Sequence, residues 1–418
     1  MNTVFEEVRT LCQAAKAASP TLSTASLDTR NKALASMADA LTEDCDTILA
    51  ANERDVSKAA ENGVPRVMLD RLTLTKPRID GIADAIRSLI ALDDPLAASE
   101  SWTRPNGLVI TKKAVPFGVI AIIFEARPNV TADAAALAVK SGNAAVLRGG
   151  KEAIFTNRAI VTSLRRAVAA LGIDENVISL VTDTTRESAN ALLSMRGYID
   201  LLIPRGGKGL IRNCVDNAKV PVIETGAGNC HVYIDAAADL EKALAVTVNA
   251  KCQRPSVCNA AESLLCHRDV ADKFLPDFYR ATREWGLELR GCPEACRILP
   301  EAIPATVEDH YTDYNDYIMS VKIVSSVEEA IAEINETGTG HSEAIITEDD
   351  AAAEKFMALV DAAALYRNAS TRFTDGGEFG FGAEIGISTQ KMHARGPMGP
   401  SALTTVKYIV TGNGTVRN

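Results

Sequence analysis

The sequence is poor in aromatic residues and has no surplus of positive charge. Aromatic side chains make up 5% of the 418 residues, so Ala, Val, Ile and Leu must build most of the hydrophobic core. Aliphatic cores of this kind are typical of parallel sheets covered by helices. The formal net charge is −10, and no basic stripe is visible. The composition therefore argues against a protein that binds nucleic acid.

Long apolar runs and an export signal are also missing. The longest apolar runs, such as Val119 to Phe124, are far too short to span a bilayer. The N-terminal stretch is acidic and amphipathic and does not resemble a signal peptide. The nine cysteines are irregularly spaced, as expected of reduced thiols rather than of a disulfide framework. We therefore expect a cytoplasmic protein without membrane association.

Strands and helices alternate between residues 116 and 223. Short apolar runs are separated by segments of helical periodicity, and loops marked by Gly and Pro join them. This pattern predicts an α/β fold with an open, mostly parallel sheet, which would bind ligands at the carboxyl ends of its strands. The predicted strands are 119–124, 144–147, 177–181, 200–203 and 220–223.

The patterns on either side of this region divide the chain into three parts. The first 90 residues have helical periodicity, and the pair Asn106-Gly107 is a strong hairpin signal. The chain near its C-terminus has β propensity and is expected to pair with that hairpin as an oligomerisation element. The predicted parts are a cofactor-binding domain (1–98 and 116–230), a catalytic domain (231–400) and a β-ribbon (99–115 and 401–418).

Cys258 is the best candidate for a nucleophile. It follows a loop that contains Pro255 and precedes an apolar run that begins at Ala260. At such a junction, backbone N–H groups can lower the pKa of a thiol and bind a developing oxyanion. A cysteine beside an apolar run is more often buried and inert, so the assignment depends on the segment 222–231. In that segment a predicted strand ends in Glu224 and a glycine-rich turn.

Several segments, taken in order, resemble the aldehyde dehydrogenase superfamily. Its members carry a glutamate at a strand end, then a glycine turn, then the nucleophilic cysteine. Glu224 and Cys258 are 34 positions apart (258 − 224), the spacing typical of that family. The resemblance implies an open, mostly parallel, Rossmann-like cofactor domain, an αβ catalytic domain carrying Cys258 and a small β oligomerisation ribbon. The other matching segments are Pro116–Ile123, Ser141–Arg148 and Ile203–Lys208.

Departures from the superfamily pattern resemble one family within it, the gamma-glutamyl phosphate reductases. They are the stretches EARPNV at 125–130, ETGAGNCH at 224–231 and STRFTDGGEFG at 370–380. The resemblance implies NADPH-dependent reduction of L-glutamate 5-phosphate to L-glutamate 5-semialdehyde and phosphate, the second step of proline biosynthesis from glutamate. It implies a thioacyl intermediate on Cys258, and it makes glutamate 5-kinase a candidate partner of a homo-oligomeric enzyme.

The resemblance also assigns roles to individual residues. Glu224 is expected to assist the thiol or to shape the cofactor site. Asn129 is expected to donate to the oxyanion together with the backbone N–H of Cys258. Alternatively, Asn129 caps the helix predicted to begin near Val130. Cations in nearby loops are expected to bind the substrate's phosphate and carboxylate, although each alone is typical of a surface charge. These cations are Arg127, Arg254, Arg372, Lys391, His393 and Arg395.

The cofactor is expected to bind at two loops of the alternating region. The loop from Arg148 to Lys151 lies where the family holds the adenosine ribose, and its two cations favour a ribose 2′-phosphate, hence NADPH. The loop from Arg205 to Lys208 opens a helix whose N–H groups can meet the pyrophosphate or the nicotinamide end. The expected cofactor-binding residues are Arg148, Gly149, Gly150, Lys151, Arg205, Gly206, Gly207, Lys208 and, on the nicotinamide ribose, Asp313.

Two other functions stay open at this point. A hydrolytic or coenzyme A-acylating aldehyde dehydrogenase would carry P-W-N-F-P and L-x-x-G-G-K, which this sequence lacks. A catalytically silent scaffold, for example for the kinase that makes the acyl phosphate, would not need Glu224 and Cys258 at this spacing. No metal is expected, because the spacing of Cys252, Cys258, Cys266 and His267 fits no common zinc pattern.

Overall fold

The computed structural model describes residues 3–417, apart from the side chains of Arg66, Val67 and Lys208. Within that range, no helix combines the length and the apolar character needed to cross a lipid bilayer. All nine cysteines are thiols.

The chain forms two compact units. The first consists of the chain up to Thr225, of Gly380–Gly386 and of the chain from Met398 onward. The second consists of Gly226–Phe379 and Ile387–Pro397. The glycine-rich segment near the C-terminus therefore contributes to both units.

The secondary structure follows the alternation that the sequence predicts. The helices are α1 (Thr3–Ala18), α2 (Pro20–Ser23), α3 (Leu27–Glu43), α4 (Cys45–Glu61), α5 (Arg66–Leu72), α6 (Lys76–Ser88), α7 (Pro128–Lys140), α8 (Ile154–Ala169), α9 (Arg186–Leu193), α10 (Lys208–Asn217), α11 (Leu240–Cys252), α12 (Arg268–Thr282), α13 (Pro293–Ile298), α14 (Val327–Thr337) and α15 (Asp350–Leu359). The strands are β1 (Ser99–Thr103), β2 (Val109–Pro116), β3 (Val119–Phe124), β4 (Ala144–Arg148), β5 (Ile178–Leu180), β6 (Leu201–Arg205), β7 (Cys230–Ile234), β8 (Ala261–His267), β9 (Glu288–Gly291), β10 (Ile303–Pro304), β11 (Ile318–Val324), β12 (Ser342–Ile346), β13 (Ala364–Arg367), β14 (Ile387–Ser388), β15 (Gly396–Pro397) and β16 (Thr404–Thr411).

Four parallel strands form the central sheet of the first unit, in the order β5-β4-β3-β6. Every residue of β3 is buried, as expected of a central parallel strand. The strand order reverses between β3 and β6, so the carboxyl ends of these two strands border the crevice in which such sheets bind ligands. The sheet therefore confirms the predicted parallel architecture.

The strand predicted at 220–223 was wrong in extent. Only one parallel bridge forms there, between Leu202 and Val222. The Leu202 N–H donates to the carbonyl of Pro221 at 2.9 Å, and Ile223 donates to Leu202 at 3.0 Å. Pro221 has no N–H of its own, so it cannot extend the ladder further. Even so, this bridge brings the segment that leads to Glu224 alongside β6.

A three-stranded antiparallel sheet also belongs to the first unit, in the order β1-β2-β16. The predicted hairpin turn is confirmed, with Gly107 at φ +84°. The predicted pairing of the C-terminal strand with this ribbon is also confirmed, because β16 pairs with β2 along its whole length. β16 exposes apolar side chains at Val406, Tyr408 and Val410. The predicted role of this sheet in oligomerisation stays a prediction.

The second unit is built on seven parallel strands in the order β10-β9-β11-β8-β7-β12-β13. The three adjacent strands β8, β7 and β12 are buried at every position. Helices pack on the sheet, and the rings of Phe274 and Phe278 on α12 stack at 5.8 Å within the core. This buried centre fixes the amino ends of β7 and β8, where the functional residues of the unit lie.

Candidate active site

Cys258 lies in the loop that joins α11 to β8. It is half-buried, whereas Cys252 at the end of α11 and Cys266 within β8 are buried. Burial raises the pKa of Cys252 to about 11 and places that of Cys266 well above the ordinary range of thiols. Cys258 is therefore the thiol of this stretch that a substrate can reach.

The glycine turn before β7 packs on the Cys258 loop. A Cβ atom on Gly228 would lie 1.4 Å from the carbonyl oxygen of Cys258, a distance that no side chain can adopt. The thiol of Cys230 donates to the same carbonyl oxygen at 3.3 Å. A Cβ atom on Gly226 would lie 2.5 Å from the side chain of Thr389. The glycines of this turn therefore allow backbone to approach backbone directly behind Cys258.

Arg372 is attached to the residues around Cys258. Its Nε donates to Oε1 of Gln253 at 3.0 Å, and its Nη1 donates to Oδ1 of Asn259. The buried Asn259 is itself fixed, because its backbone carbonyl accepts from the hydroxyl of Thr371 at 2.7 Å. Hydrogen bonds from Thr371 and Arg372 thus hold this segment against the Cys258 loop.

Two of the predicted cations meet near the thiol. Burial lowers the pKa of Arg372, the neighbouring Arg254 lowers it further, and Cys258 opposes both effects. Arg254 is exposed, and it lies within the loop that carries Cys258. The structure therefore brings Arg254, Arg372 and Cys258 together in the second unit, as an anionic substrate at the thiol would require.

The other predicted cations of the second unit lie around one carboxylate. Lys391 and Arg395 pair with Asp361 at 2.5 and 2.7 Å. These partners, Lys391 first, lower the pKa of Asp361. His393, between the two cations, is exposed and has a left-handed backbone at φ +64°. Lys391 and Arg395 thus share a counter-ion, whereas Arg372 is hydrogen-bonded to neutral amides.

Asp313 lies beside the Gly228 turn. The side-chain amide of Asn315 donates to its Oδ1 at 2.7 Å. Burial raises the pKa of Asp313, and the Asn315 amide, the Lys251 ammonium and the backbone N–H of Gly228 each oppose that rise. The carboxylate therefore faces the turn that supports Cys258. The predicted contact of Asp313 with a nicotinamide ribose stays a prediction.

In the first unit, a carboxylate lies on the N-terminus of α10. Glu125 follows β3, and its Oε2 accepts a hydrogen bond of 2.9 Å from the N–H of Gly207, the N-cap residue. A Cβ atom on Gly206 would lie 2.7 Å from this carboxylate. The Arg205–Gly207 turn therefore binds an anionic group, as the N-terminus of a helix favours. The side chain of Lys208 lies outside the described residues.

Arg148 and Lys151 differ in their surroundings at the end of β4. Nη2 of Arg148 donates to the carbonyl groups of Thr184 and Thr185 at 2.7 and 2.8 Å. Burial lowers the pKa of Arg148. Lys151 is exposed. Arg148 thus secures the loop after β5, and Lys151 presents its charge to solvent.

The glycines of this loop allow close packing. A Cβ atom on Gly149 would lie 2.2 Å from Nδ2 of Asn157, and one on Gly150 would lie 2.7 Å from the carboxylate of Glu152. A side chain at Gly149, where a Cβ atom would also lie 3.1 Å from the ring of Phe124 on β3, would push the loop away from the sheet.

Asn129 does not cap α7, so that alternative was wrong. The helix begins at Pro128, and Arg127 occupies the cap position without a side-chain bond. Proline is favoured in the first turn of a helix, which moves the cap to the residue before it. Asn129 is exposed, and its Nδ2 donates to Oδ2 of Asp133 at 3.0 Å. Its expected contact with the oxyanion stays a prediction.

Glu224 is half-buried at the end of the short bridge beside β6. The next residue is anchored, because the hydroxyl of Thr225 donates to the carbonyl of Pro204 at 2.9 Å. The guanidinium of Arg205 lies against Gly386, where a Cβ atom would be 2.5 Å from its Nη1. Glu224 and Arg205 therefore both lie at the carboxyl ends of adjacent chain segments of this sheet.

Residues 3–291 and 317–392 match the sequence model of the aldehyde dehydrogenase family. These ranges cover most of the chain and include Glu224 and Cys258.

The chain belongs to the aldehyde dehydrogenase family.

Within this family the chain is similar to gamma-glutamyl phosphate reductases. It is 54% identical over 412 residues to that of Moorella thermoacetica, covering 98% of this chain and 99% of the relative. It is 56% identical over 394 residues to that of Streptococcus suis, covering 94% and 95%. The crystal structure of the Thermotoga maritima protein superposes with a TM-score of 0.96 at 47% identity, covering 99% of this chain and 100% of that chain. The resemblance inferred from the motifs is confirmed, and so is the predicted aldehyde dehydrogenase-like α/β fold.

An acetylating aldehyde dehydrogenase from Geobacillus thermoglucosidasius matches with a TM-score of 0.72 at 19% identity, covering 99% of this chain and 98% of that chain. At this identity the match shows the shared fold. The similarity to gamma-glutamyl phosphate reductases over nearly the whole chain makes the chain an oxidoreductase of this family.

Three charged residues, Lys251, Glu262 and Asp133, lie outside the set predicted from the sequence. Lys251 and Glu262 form a fully buried ion pair, with Nζ 2.6 Å from Oε2. Burial raises the pKa of Asp133 on α7 to about 6, and the Asn129 amide and Arg205 oppose that rise. The sequence offers one signal for Lys251 and Glu262. They lie seven positions before Cys258 and four positions after it, both in apolar surroundings.

Proposed function

We propose that the chain reduces L-glutamate 5-phosphate to L-glutamate 5-semialdehyde and phosphate, with NADPH as the reductant. Similarity to gamma-glutamyl phosphate reductases over nearly the whole chain supports this substrate. The single observation that carries the chemistry is the half-exposed thiol of Cys258, held by the Gly228 turn with Arg254 and Arg372 beside it.

In the proposed reaction the Cys258 thiolate attacks the acyl carbon of the substrate. A C–S bond forms, the bond from that carbon to the phosphate oxygen breaks, and phosphate leaves with the electron pair. The backbone N–H of Cys258 and the amide of Asn129 are the proposed donors to the oxyanion, and Glu224 is the proposed assisting acid or base. Arg254 and Arg372 are proposed to bind the anionic groups of the substrate. Arg127, His393 and Arg395 remain weaker candidates for the same task.

A bound nicotinamide would supply the hydride that converts the thioester into a thiohemiacetal. The thiohemiacetal then collapses, which releases the semialdehyde and regenerates the Cys258 thiolate. The residues of the first unit fit such a cofactor, because the N–H of Gly207 at the N-terminus of α10 already donates to the Glu125 carboxylate. That turn would hold the pyrophosphate.

The preference for a 2′-phosphate is assigned mainly to Lys151. Arg148 is hydrogen-bonded to the loop after β5, whereas Lys151 is an exposed cation at the end of β4. Asp313 is kept as the proposed contact of the nicotinamide ribose. In this proposal the first unit binds the cofactor and the second unit carries the chemistry.

We also propose a homo-oligomeric state, a partner kinase and a cellular location for the chain. The exposed apolar side chains of β16 support a homo-oligomer formed through the β-ribbon. The lability of an acyl phosphate supports its delivery by glutamate 5-kinase. A cytoplasmic location is proposed because all nine cysteines are thiols, as in a reducing compartment.

Cys258→Ser tests the proposed nucleophile. The variant would be compared with Cys296→Ser, which replaces another half-buried thiol of the same unit. With semialdehyde and NADP but no phosphate, the wild type and Cys296→Ser should accumulate an acyl group that peptide mass spectrometry places on Cys258. Cys258→Ser should accumulate none and should lose at least ~1,000-fold in turnover. A Cys258→Ser variant with wild-type turnover would overturn the mechanism.

A further inference from the structure

A buried ion pair joins the two ends of the loop that carries Cys258. Lys251 lies in the last turn of α11, and Glu262 is the second residue of β8. The two residues are 11 positions apart in sequence, with Nζ 2.6 Å from Oε2. Both side chains are 0% exposed. The pair therefore closes the loop at its base, away from solvent.

The stability of the fold does not explain this pair. Removing two charges from water is costly, and the attraction between them commonly does no more than offset that cost. Apolar side chains of similar volume at such positions often give equal or greater stability. Burial raises the pKa of Glu262, and the Lys251 ammonium opposes that rise, so the cost of burial is present here as well.

The pair is connected to the support of Cys258 from a second direction. Both Lys251 and Glu262 interact electrostatically with Asp313, Lys251 by attraction and Glu262 by repulsion. The N–H of Gly228 in turn interacts with the Asp313 carboxylate. The backbone of Gly228 touches the carbonyl of Cys258. The ion pair thus joins the two ends of the Cys258 loop, and Asp313 links the same pair to the Gly228 turn.

We propose that Lys251 and Glu262 are positioning residues that hold the Cys258 loop against the Gly228 turn. Their ion pair serves the reaction rather than the stability of the fold. The inference rests on the proposed function in one respect, the assignment of Cys258 as the nucleophile.

The direct test is the double variant Lys251→Met/Glu262→Met, which replaces the pair by apolar side chains of similar size. Its melting temperature should equal or exceed that of the wild type. Its kcat for NADP reduction with semialdehyde and phosphate should fall ~100-fold, the loss expected from a displacement of about 1 Å at the reacting group. The KM for NADP should change less than threefold. The pH profile of Cys258 alkylation by iodoacetamide should shift, which a purely structural role would not cause.

The matched control is Lys322→Met/Glu333→Met, which removes another ion pair of the second unit. It should keep wild-type kcat and the wild-type alkylation profile. Lys251→Arg/Glu262→Asp keeps both charges and roughly the summed side-chain length. It should recover at least about a tenth of wild-type kcat, which is about ten times the kcat expected of the apolar variant.

Failure of the positioning role and failure of the proposed function give different results. Wild-type kcat and alkylation in the apolar double variant, with Cys258→Ser inactive, would overturn the positioning role and leave the proposed function intact. Activity in Cys258→Ser would overturn the proposed function itself. If the double variant does not fold, Lys251→Gln/Glu262→Gln decides, because it removes both charges and leaves neither one unpaired. The kcat of this folded variant should fall, and wild-type kcat would overturn the proposal.

Discussion

The backbone of Gly228 lies against the carbonyl group of Cys258, and a Cβ atom at position 228 would fall 1.4 Å from that oxygen. The loop must move if any other residue replaces this glycine. We predict that Gly228→Ala lowers kcat by ~100-fold or more, because a shift of about 1 Å misplaces the thiol. Steady-state kinetics at saturating substrate measure the change.

Gly81→Ala is the matched control for that variant. A Cβ atom there meets nothing within 4 Å, and the residue lies inside α6. It should keep full activity and raise the free energy of unfolding by about 0.5–1 kcal/mol. Near-normal turnover in Gly228→Ala would show that the turn does not hold Cys258 in place.

The charge of Lys151 should determine the preference for the phosphorylated cofactor. Lys151→Met is expected to raise the Kd for NADPH by about tenfold or more, since a hydrogen bond to a charged group contributes about 1.5–3 kcal/mol. Its Kd for NADH should be unchanged. Arg158→Met, which removes an exposed positive charge from α8, should change neither. Equal weakening of both cofactors by Lys151→Met would contradict the assignment, and fluorescence titration distinguishes the two results.

Glu125 occupies the position at which a cofactor pyrophosphate is proposed to bind. Glu125→Gln should tighten NADPH binding a few-fold, because it removes a competing negative charge from the N–H of Gly207. The same variant should lower the free energy of unfolding by about 0.3–1 kcal/mol, since an acid at a helix N-terminus is stabilising. Calorimetric titration and denaturant unfolding measure the two effects. Weaker NADPH binding would instead indicate that the carboxylate contacts the cofactor.

Asp133 should make stability depend on pH. Burial raises its pKa from 3.8 to about 6, so the folded protein holds this proton more tightly than the unfolded chain does. The resulting stabilisation is complete below pH 3.8 and is lost as the pH rises through about 6. Relative to Asp133→Asn, the wild type should lose about 1–2 kcal/mol between pH 4 and pH 7, after allowance for solvent screening. Parallel pH profiles of the two proteins in urea unfolding would contradict the prediction.

The strands of the first unit could be predicted because apolar runs are bounded by Gly and Pro. The prediction failed at 220–223, where Pro221 interrupts the hydrogen bonds of a strand. It failed again at Asn129, since Pro128 moves the cap of α7 to Arg127. In both places a proline within the segment outweighs the pattern around it.

The site could be predicted only as far as local motifs reach. Cys258, Glu224 and the glycine turns are recognisable in sequence because family members share their order and spacing. The partner of Lys251 is not recognisable, because α11 and β8 must fold before the two charges meet. The carbonyl partners of Arg148 are not recognisable for the same reason, since they follow β5 and are distant in sequence. Its contact with a cofactor phosphate stays a prediction.

In the proposed reaction phosphate, rather than water, exchanges with the acyl group on Cys258. The direct measurement follows the absorbance of reduced cofactor while the protein acts on glutamate 5-semialdehyde and NADP, with and without inorganic phosphate. We expect sustained reduction that requires phosphate. Reduction equally fast without phosphate would contradict it and would make the chain a hydrolytic aldehyde dehydrogenase, with Glu224 as the base.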